Sequence, residues 1–125
     1  MVKHDGADVD CIEYNYTLGE ILTAKGHHLI GRNFMEDDWT AIQYDRILMN
    51  PPFENGQDID HVRRAFDFIK PGGRLVAIMS EGPFFRSEKK ATDFREWLTE
   101  VGVADCEKLG NVLPTATRLV VIDKE

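Results

Sequence analysis

No apolar stretch of this sequence approaches the ~20 residues that span a membrane, and the N-terminal MVKHDGAD has no apolar core of the kind a secretory signal needs. Cysteine is scarce. Cys11 and Cys106 are the only two, too few for a disulfide framework or a cysteine-built metal site. Both lie in strand-like runs and read as buried free thiols of a reducing compartment. Positive charge is short as well: 15 Lys/Arg stand against 22 Asp/Glu, a net of −7. That balance argues mildly against a domain that grips nucleic acid alone. The four histidines have no Cys or Ser pattern around them, so nothing suggests nucleophilic catalysis. These absences point to a cytoplasmic protein with no membrane partner and no metal.

What remains fits one domain. A chain of 125 residues can bury a single core, and residues 1–125 read as a unit without repeats, low-complexity tracts or long linkers. Charge is uneven along it. Residues 1–60 carry four Lys/Arg and twelve Asp/Glu, and residues 61–125 carry eleven and ten. In the second half Arg86, Lys89, Lys90 and Arg95 gather at one loop–helix junction. A polyanion would bind there, although a solvated helix start explains the cluster as well.

Short β-type runs alternate with longer amphipathic ones. DVDCIEY (8–14) alternates as a strand does, and TLGEILTAKG (17–26) has helical spacing and a closing Gly. HHLIGRNF (27–34) reads as a strand, and DRILMN (45–50) as an apolar strand covered on both faces. From a cap at Asp58 a helix is expected up to Pro71-Gly72-Gly73, with Ile59, Val62, Ala65, Phe66 and Ile69 on one stripe. RLVAIMS (74–80), a helix over 88–102 and strands at ADCEKLG and RLVVIDKE complete the order. Alternation of this kind predicts a mostly parallel α/β sheet with helices on both faces, and ligands at the carboxyl ends of its strands.

YDRILMNPPFENG (44–56) carries the strongest chemical signal. Proline has no N–H to continue a ladder, so the strand must stop at Asn50, whose own backbone is held extended by Pro51. The stiff tip Asn50-Pro51-Pro52-Phe53 offers a side-chain oxygen, the Pro51 carbonyl and an aromatic face. Two acceptors beside a ring suit a planar group bearing an NH2. A plain strand-to-loop turn with a capping Asn and a core Phe uses the same residues.

This tip, followed by a helix, Pro-Gly-Gly and RLVAIMS, resembles the catalytic half of the class I S-adenosylmethionine-dependent methyltransferases. The N-P-P-F form is similar to that of the N6-adenine DNA methyltransferases of restriction-modification systems. AIMSEGPFFRSEKKATDFREWL resembles their phage-borne and mobile-element members. The resemblance runs from about Val9 to the end. It implies a Rossmann-like sheet with an antiparallel C-terminal hairpin, S-adenosyl-L-methionine as cofactor, and DNA (or RNA) as partner, bound by Arg86, Lys89 and Lys90. Asn50 and the Pro51 carbonyl would accept the amino hydrogens and stabilise charge developing on nitrogen. Phe53 would stack on a base that is flipped out or single-stranded. Glu13, at the end of the first strand, corresponds to the acid that holds the cofactor's ribose hydroxyls, though a solvated strand-end Glu fits too. An acid usually stands near Asn33 to hold the cofactor's adenine, with Phe34 beside the ring; Asn keeps an acceptor but no charge. Asp37 or Asp38 is the alternative contact. The run MEDDW otherwise reads as a solvated loop rather than a metal cluster.

The chain departs from the family at its start. A glycine-rich loop is expected roughly 20 residues before the ribose acid, and counting back from Glu13 reaches no such loop. The reading is therefore of an N-terminally truncated domain lacking the first, central strand. Three arrangements answer that loss: the flanking strands pair directly, a homodimer fills the gap, or the chain is a fragment. All three predict weaker cofactor binding. GNVLPTATRLVVIDKE is also short for the family's last connection. Two rival functions follow, a guanine-N2 rRNA methyltransferase with the same tip and an inactive remnant serving as a binding or oligomerisation module.

Overall fold

The apolar runs become strands and the amphipathic stretches become helices in the computed structural model, which describes residues 9–36, 43–108 and 116–125. The chain divides into two compact units, Met1–Asp38 and Trp39–Glu125, and its strands lie in two sheets. Among the described residues no helix is long and apolar enough to cross a membrane.

In the first unit β1 (Asp10–Ile12) pairs in parallel with β2 (His28–Gly31), and α1 (Tyr16–Ala24) connects them. Asn15 starts the helix, its Oδ1 accepting the Leu18 N–H at 3.0 Å, the usual role of an N-cap amide. Gly19 is the buried position of α1 because a Cβ there would stand 2.6 Å from the Arg32 guanidinium. Arg32 lies instead over the Tyr16 ring at 4.7 Å and bonds Glu20 at 3.1 Å. Cys11, expected to be buried, is half-buried in β1. Burial first, then the adjacent Asp10, raises its thiol pKa, which keeps it protonated and unreactive.

The second unit holds β3 (Tyr44–Met49), α2 (Gln57–Phe66), β4 (Ile69–Ser80), the single turn α3 (Gly82–Phe85), α4 (Lys89–Val101), β5 (Val103–Lys108) and β6 (Thr117–Asp123). Its sheet runs in the order β3-β4-β6-β5. β3 is parallel to β4, while β6 is antiparallel to both β4 and β5, so the C-terminal antiparallel hairpin is present. Leu75, Ala77 and Met79 of β4 lie buried in the same core as Val120 and Ile122 of β6. Val62 and Ala65 from α2, and Ala91, Phe94 and Leu98 from α4, complete that core.

Several expectations are corrected here. Ile69 belongs to β4, not to the preceding helix, which ends at Phe66. Pro-Gly-Gly does not end an element but forms an excursion within β4: Tyr44 pairs with Ile69, and Arg46 already pairs with Arg74. Gly72 permits it with a φ of 84°, its N–H donating to the Lys124 carbonyl at 2.6 Å. Gly73 permits close packing, since a Cβ would meet the Asp45 carbonyl oxygen at 2.7 Å and Ile69 at 2.8 Å. Gly73→Ala is expected to cost about 1–3 kcal/mol, the range for overpacking, as a lower urea midpoint. β3 is not covered on both faces; it is an outer strand with Leu48 72% exposed. Cys106, in β5, is half-buried rather than fully buried, with the Arg118 guanidinium 3.5 Å from its Sγ.

Candidate functional site

The tip after β3 is built by what proline forbids. β3 ends at Met49 opposite Ala77, three residues before β4 ends at Ser80. Pro51 is buried and Pro52 exposed. Asn50 is exposed and makes no side-chain hydrogen bond with another described residue, so its amide is available to a ligand. Phe53 is half-buried and leads into a 3₁₀ turn over Glu54–Gly56. Asn55 (φ 56°) and Gly56 (φ 69°) are successive left-handed residues, a conformation Asn and Gly tolerate best. They turn the chain back so that α2 can start at Gln57.

Phe53 opens onto a groove of about 660 Å³, whose walls include Asn55, Ile59, Ser80, Arg86 and Lys90. The fold thus brings the aromatic of the tip together with two of the three cations assigned to nucleic acid. Lys90 reaches across the groove to Asp60 at 2.7 Å and to the Asn55 carbonyl at 3.3 Å. Arg86 stands 3.4 Å from Glu88. Exposed pairs of this kind are worth about 0–1 kcal/mol, so a phosphate can replace either carboxylate. Lys89 is not part of the groove; it points away, pairing with Asp93 one turn along α4 at 2.9 Å. Arg95 has a structural task, donating to the Pro83 carbonyl at 2.8 Å and to the Arg86 carbonyl at 2.9 Å. It fixes the segment that presents Arg86.

Asp58 does not cap α2. The N-cap is Gly56, and Asp58 is the second residue of the helix, fully buried. Its Oδ2 accepts the Ser80 N–H at 2.9 Å and the Ser80 hydroxyl at 2.8 Å, and its Oδ1 accepts the Ile59 N–H at 3.2 Å. A buried carboxylate needs such donors, and the first turn of a helix favours its charge. One side chain therefore fastens two walls of the groove. Neither Asp58 in this role nor Ser80 was marked by the sequence pattern. The only cue was the place of Ser80 at the carboxyl end of an apolar strand.

His61, on the next turn of α2, is held below its ordinary pKa of 6.5 by burial, against the raising effect of Asp60 and Asp58. The unfolded chain then takes up the proton more readily, so stability is lost as pH falls below about 6.5. Thermal unfolding from about pH 5 to about pH 7 is expected to depend less on pH in His61→Gln than in the parent.

In the first unit Glu13, Asn33 and Phe34 follow the carboxyl ends of β1 and β2. Glu13 extends the ladder by one bond, its N–H to the Gly31 carbonyl at 3.3 Å. Among the described residues its carboxylate takes a long bond from the Asn15 N–H at 3.4 Å, which leaves acceptor capacity for a diol. The Asn33 Oδ1 accepts the Met35 N–H at 3.1 Å, so its acceptor is partly engaged in a local turn. Phe34 is half-buried beside it. Asp37 and Asp38 lie outside the described residues.

No protein-family model matches the sequence, and no curated protein matches it. Solved structures do match in fold. The methyltransferase subunit of a type I restriction-modification system from Streptococcus thermophilus superposes with a TM-score of 0.68 at 17% identity, covering 81% of this chain and 28% of that one. A Listeria monocytogenes protein assigned to the class I S-adenosylmethionine-dependent methyltransferases gives 0.70 at 9% identity, covering 92% of this chain and 44% of that one. TrmN from Thermus thermophilus gives 0.63 at 18% identity, covering 93% of this chain and 36% of that one. The chain has the class I methyltransferase fold and spans less than half the length of each of these structures.

Proposed function

We propose that residues 1–125 act as one partial methyltransferase domain, transferring a methyl group from S-adenosyl-L-methionine to an exocyclic amino nitrogen, adenine N6 in DNA. The observation that carries this is the tip of β3: an exposed, unengaged Asn50 beside Pro51, with Phe53 opening onto a groove that also holds Arg86 and Lys90. In this fold that combination suits an amino-bearing base on a phosphate backbone. The N-P-P-F form of the tip, similar to that of the N6-adenine DNA methyltransferases, supports DNA as the substrate.

The residues present fit the cofactor in part. Glu13 has a carboxylate free to accept two hydroxyls, Phe34 offers a ring, and Asn33 offers an oxygen already shared with Met35. The cofactor supplies an electrophilic methyl group. The chain's own work is to orient the acceptor. The Asn50 side-chain oxygen and the Pro51 carbonyl receive the amino hydrogens, so that charge growing on nitrogen meets preorganised dipoles. Phe53 stacks on the base, and Arg86 and Lys90 hold its phosphates, which orients the amino nitrogen. Beside the nucleic acid, a second copy of this chain is the proposed partner, pairing with β3, the end strand of its sheet; light scattering should then give the mass of a dimer.

Calorimetric titration with S-adenosyl-L-methionine, with tritiated-methyl transfer to unmethylated DNA and to RNA, tests the proposal. Binding of cofactor and label in adenine of DNA are expected. Label in RNA alone would move the substrate, and cofactor binding with no transfer to either would remove the enzymatic reading.

A further inference from the structure

We infer that Asp58 fixes the polarity of the groove by turning the Ser80 hydroxyl away from it, so that Ser80 receives the amino group of the bound base. The inference rests on the reading of the groove as a nucleic-acid site. As a carboxylate, Asp58 can only accept. Its Oδ2 takes both the backbone N–H of Ser80 at 2.9 Å and the hydroxyl at 2.8 Å, so the single hydroxyl hydrogen is directed into the protein. Ser80 is half-buried and lines the groove. What its Oγ has left to offer there is lone pairs. A groove floor of acceptors binds a group that donates and disfavours one that only accepts, since an unmatched polar contact leaves a desolvated group without a partner.

Why Asp58 stands there follows from the chain. β3 ends at Met49 opposite Ala77, because the prolines stop it, and the Ser80 N–H lies three residues further along β4. The Asp58 carboxylate provides the acceptor at that point. It is fully buried and carries no salt bridge among the described residues. A serine hydroxyl facing solvent would rotate freely, whereas this one is held in one rotamer by a buried anion. Asp58 is thus a positioning residue and Ser80 the group that touches the base. Ser80 takes one amino hydrogen as the base binds, and Asn50 and the Pro51 carbonyl take both only in the reacting complex, as charge develops on nitrogen.

The distinction can be measured by binding alone. Two single-stranded oligonucleotides of thymine are compared, one with a central adenine and one with unsubstituted purine, which lacks the amino group. The parent chain is expected to bind the adenine strand about tenfold more tightly, the discrimination a hydrogen-bonding site exerts against an analogue lacking the donor being this large or larger. Ser80→Ala keeps the backbone bond to Asp58 and should reduce the preference several-fold. Asp58→Ala removes the acceptor, so that the Ser80 hydroxyl hydrogen is free to turn into the groove, and should abolish the preference or reverse it. A loss of fold is read separately by circular dichroism, and the ratio is taken only from variants that keep the parent's spectrum. If both variants keep the parent's ratio, the inference is wrong and the nucleic-acid reading stands. If the parent binds neither strand, the reading fails and the inference with it. If the ratio shifts as described but no methyl group is transferred, the enzymatic reading fails and the polarity of the groove is still established.

Discussion

Asn50→Ala is expected to lower methyl transfer by about 10²–10³-fold, the loss that follows removal of one preorganised group facing developing charge. Cofactor affinity should stay within twofold of the parent, since the cofactor residues proposed here, Glu13, Asn33 and Phe34, follow other strands. Stability should change little as well, because Asn50 is exposed and makes no side-chain bond to another described residue. Those two invariances separate a catalytic loss from a folding loss. Phe53→Ala should act differently. Loss of a base-stacking ring costs about 1–3 kcal/mol of strand binding, so it should raise KM for DNA more than it lowers kcat. Single-turnover transfer, read beside equilibrium binding of cofactor and strand, resolves these effects. A kcat for Asn50→Ala within threefold of the parent would remove the tip from the chemistry.

Phe94→Ala carries the largest expected effect on stability. Phe94 is fully buried in α4, stacked on Trp97 with ring centroids 5.8 Å apart and edge-on to Phe84 at 6.0 Å. Trp97 in turn meets Phe66 of α2 edge-on at 5.4 Å, and the Arg118 guanidinium lies over Phe84 at 4.5 Å. The ring therefore joins α3 to α4 and, through Trp97, to α2. Truncation is expected to cost about 3–5 kcal/mol, a large part of the ~5–15 kcal/mol that holds a domain folded. Urea denaturation checks it. Because α4 carries Lys90 and the segment before it carries Arg86, the same variant should lose strand affinity at temperatures where the parent still binds.

The parts of the fold that were legible in sequence are those governed by local rules. Proline stopped β3 at the residue where a ladder cannot continue, and Gly102 closed α4 with a φ of 77°. The β-α-β order followed from alternation of apolar period. What failed had two readings locally and was decided by tertiary contacts. Ile69 lies three residues after Phe66, which suits a helical stripe, but it is also the first residue of a buried strand that pairs with Tyr44. Asp58 has the spacing of a cap, yet its partner Ser80 is distant in sequence, and no local pattern encodes that bond. Arg86, Lys89, Lys90 and Arg95 cluster in sequence, but helical geometry sends them to different places. Arg86 and Lys90 reach the groove, Lys89 pairs with Asp93, and Arg95 binds carbonyls beneath the loop. The apolar run of β3 suggested full cover, and the exposed Leu48 shows that an outer strand can be as apolar as an inner one.

Transfer of tritiated methyl from S-adenosyl-L-methionine to unmethylated DNA, at saturating cofactor and with the modified base identified, tests the central claim most directly. The account predicts N6-methyladenine from the parent chain and a yield lower by about 10²–10³-fold from Asn50→Ala. Label on a ring carbon, or an undiminished yield from Asn50→Ala, would contradict it.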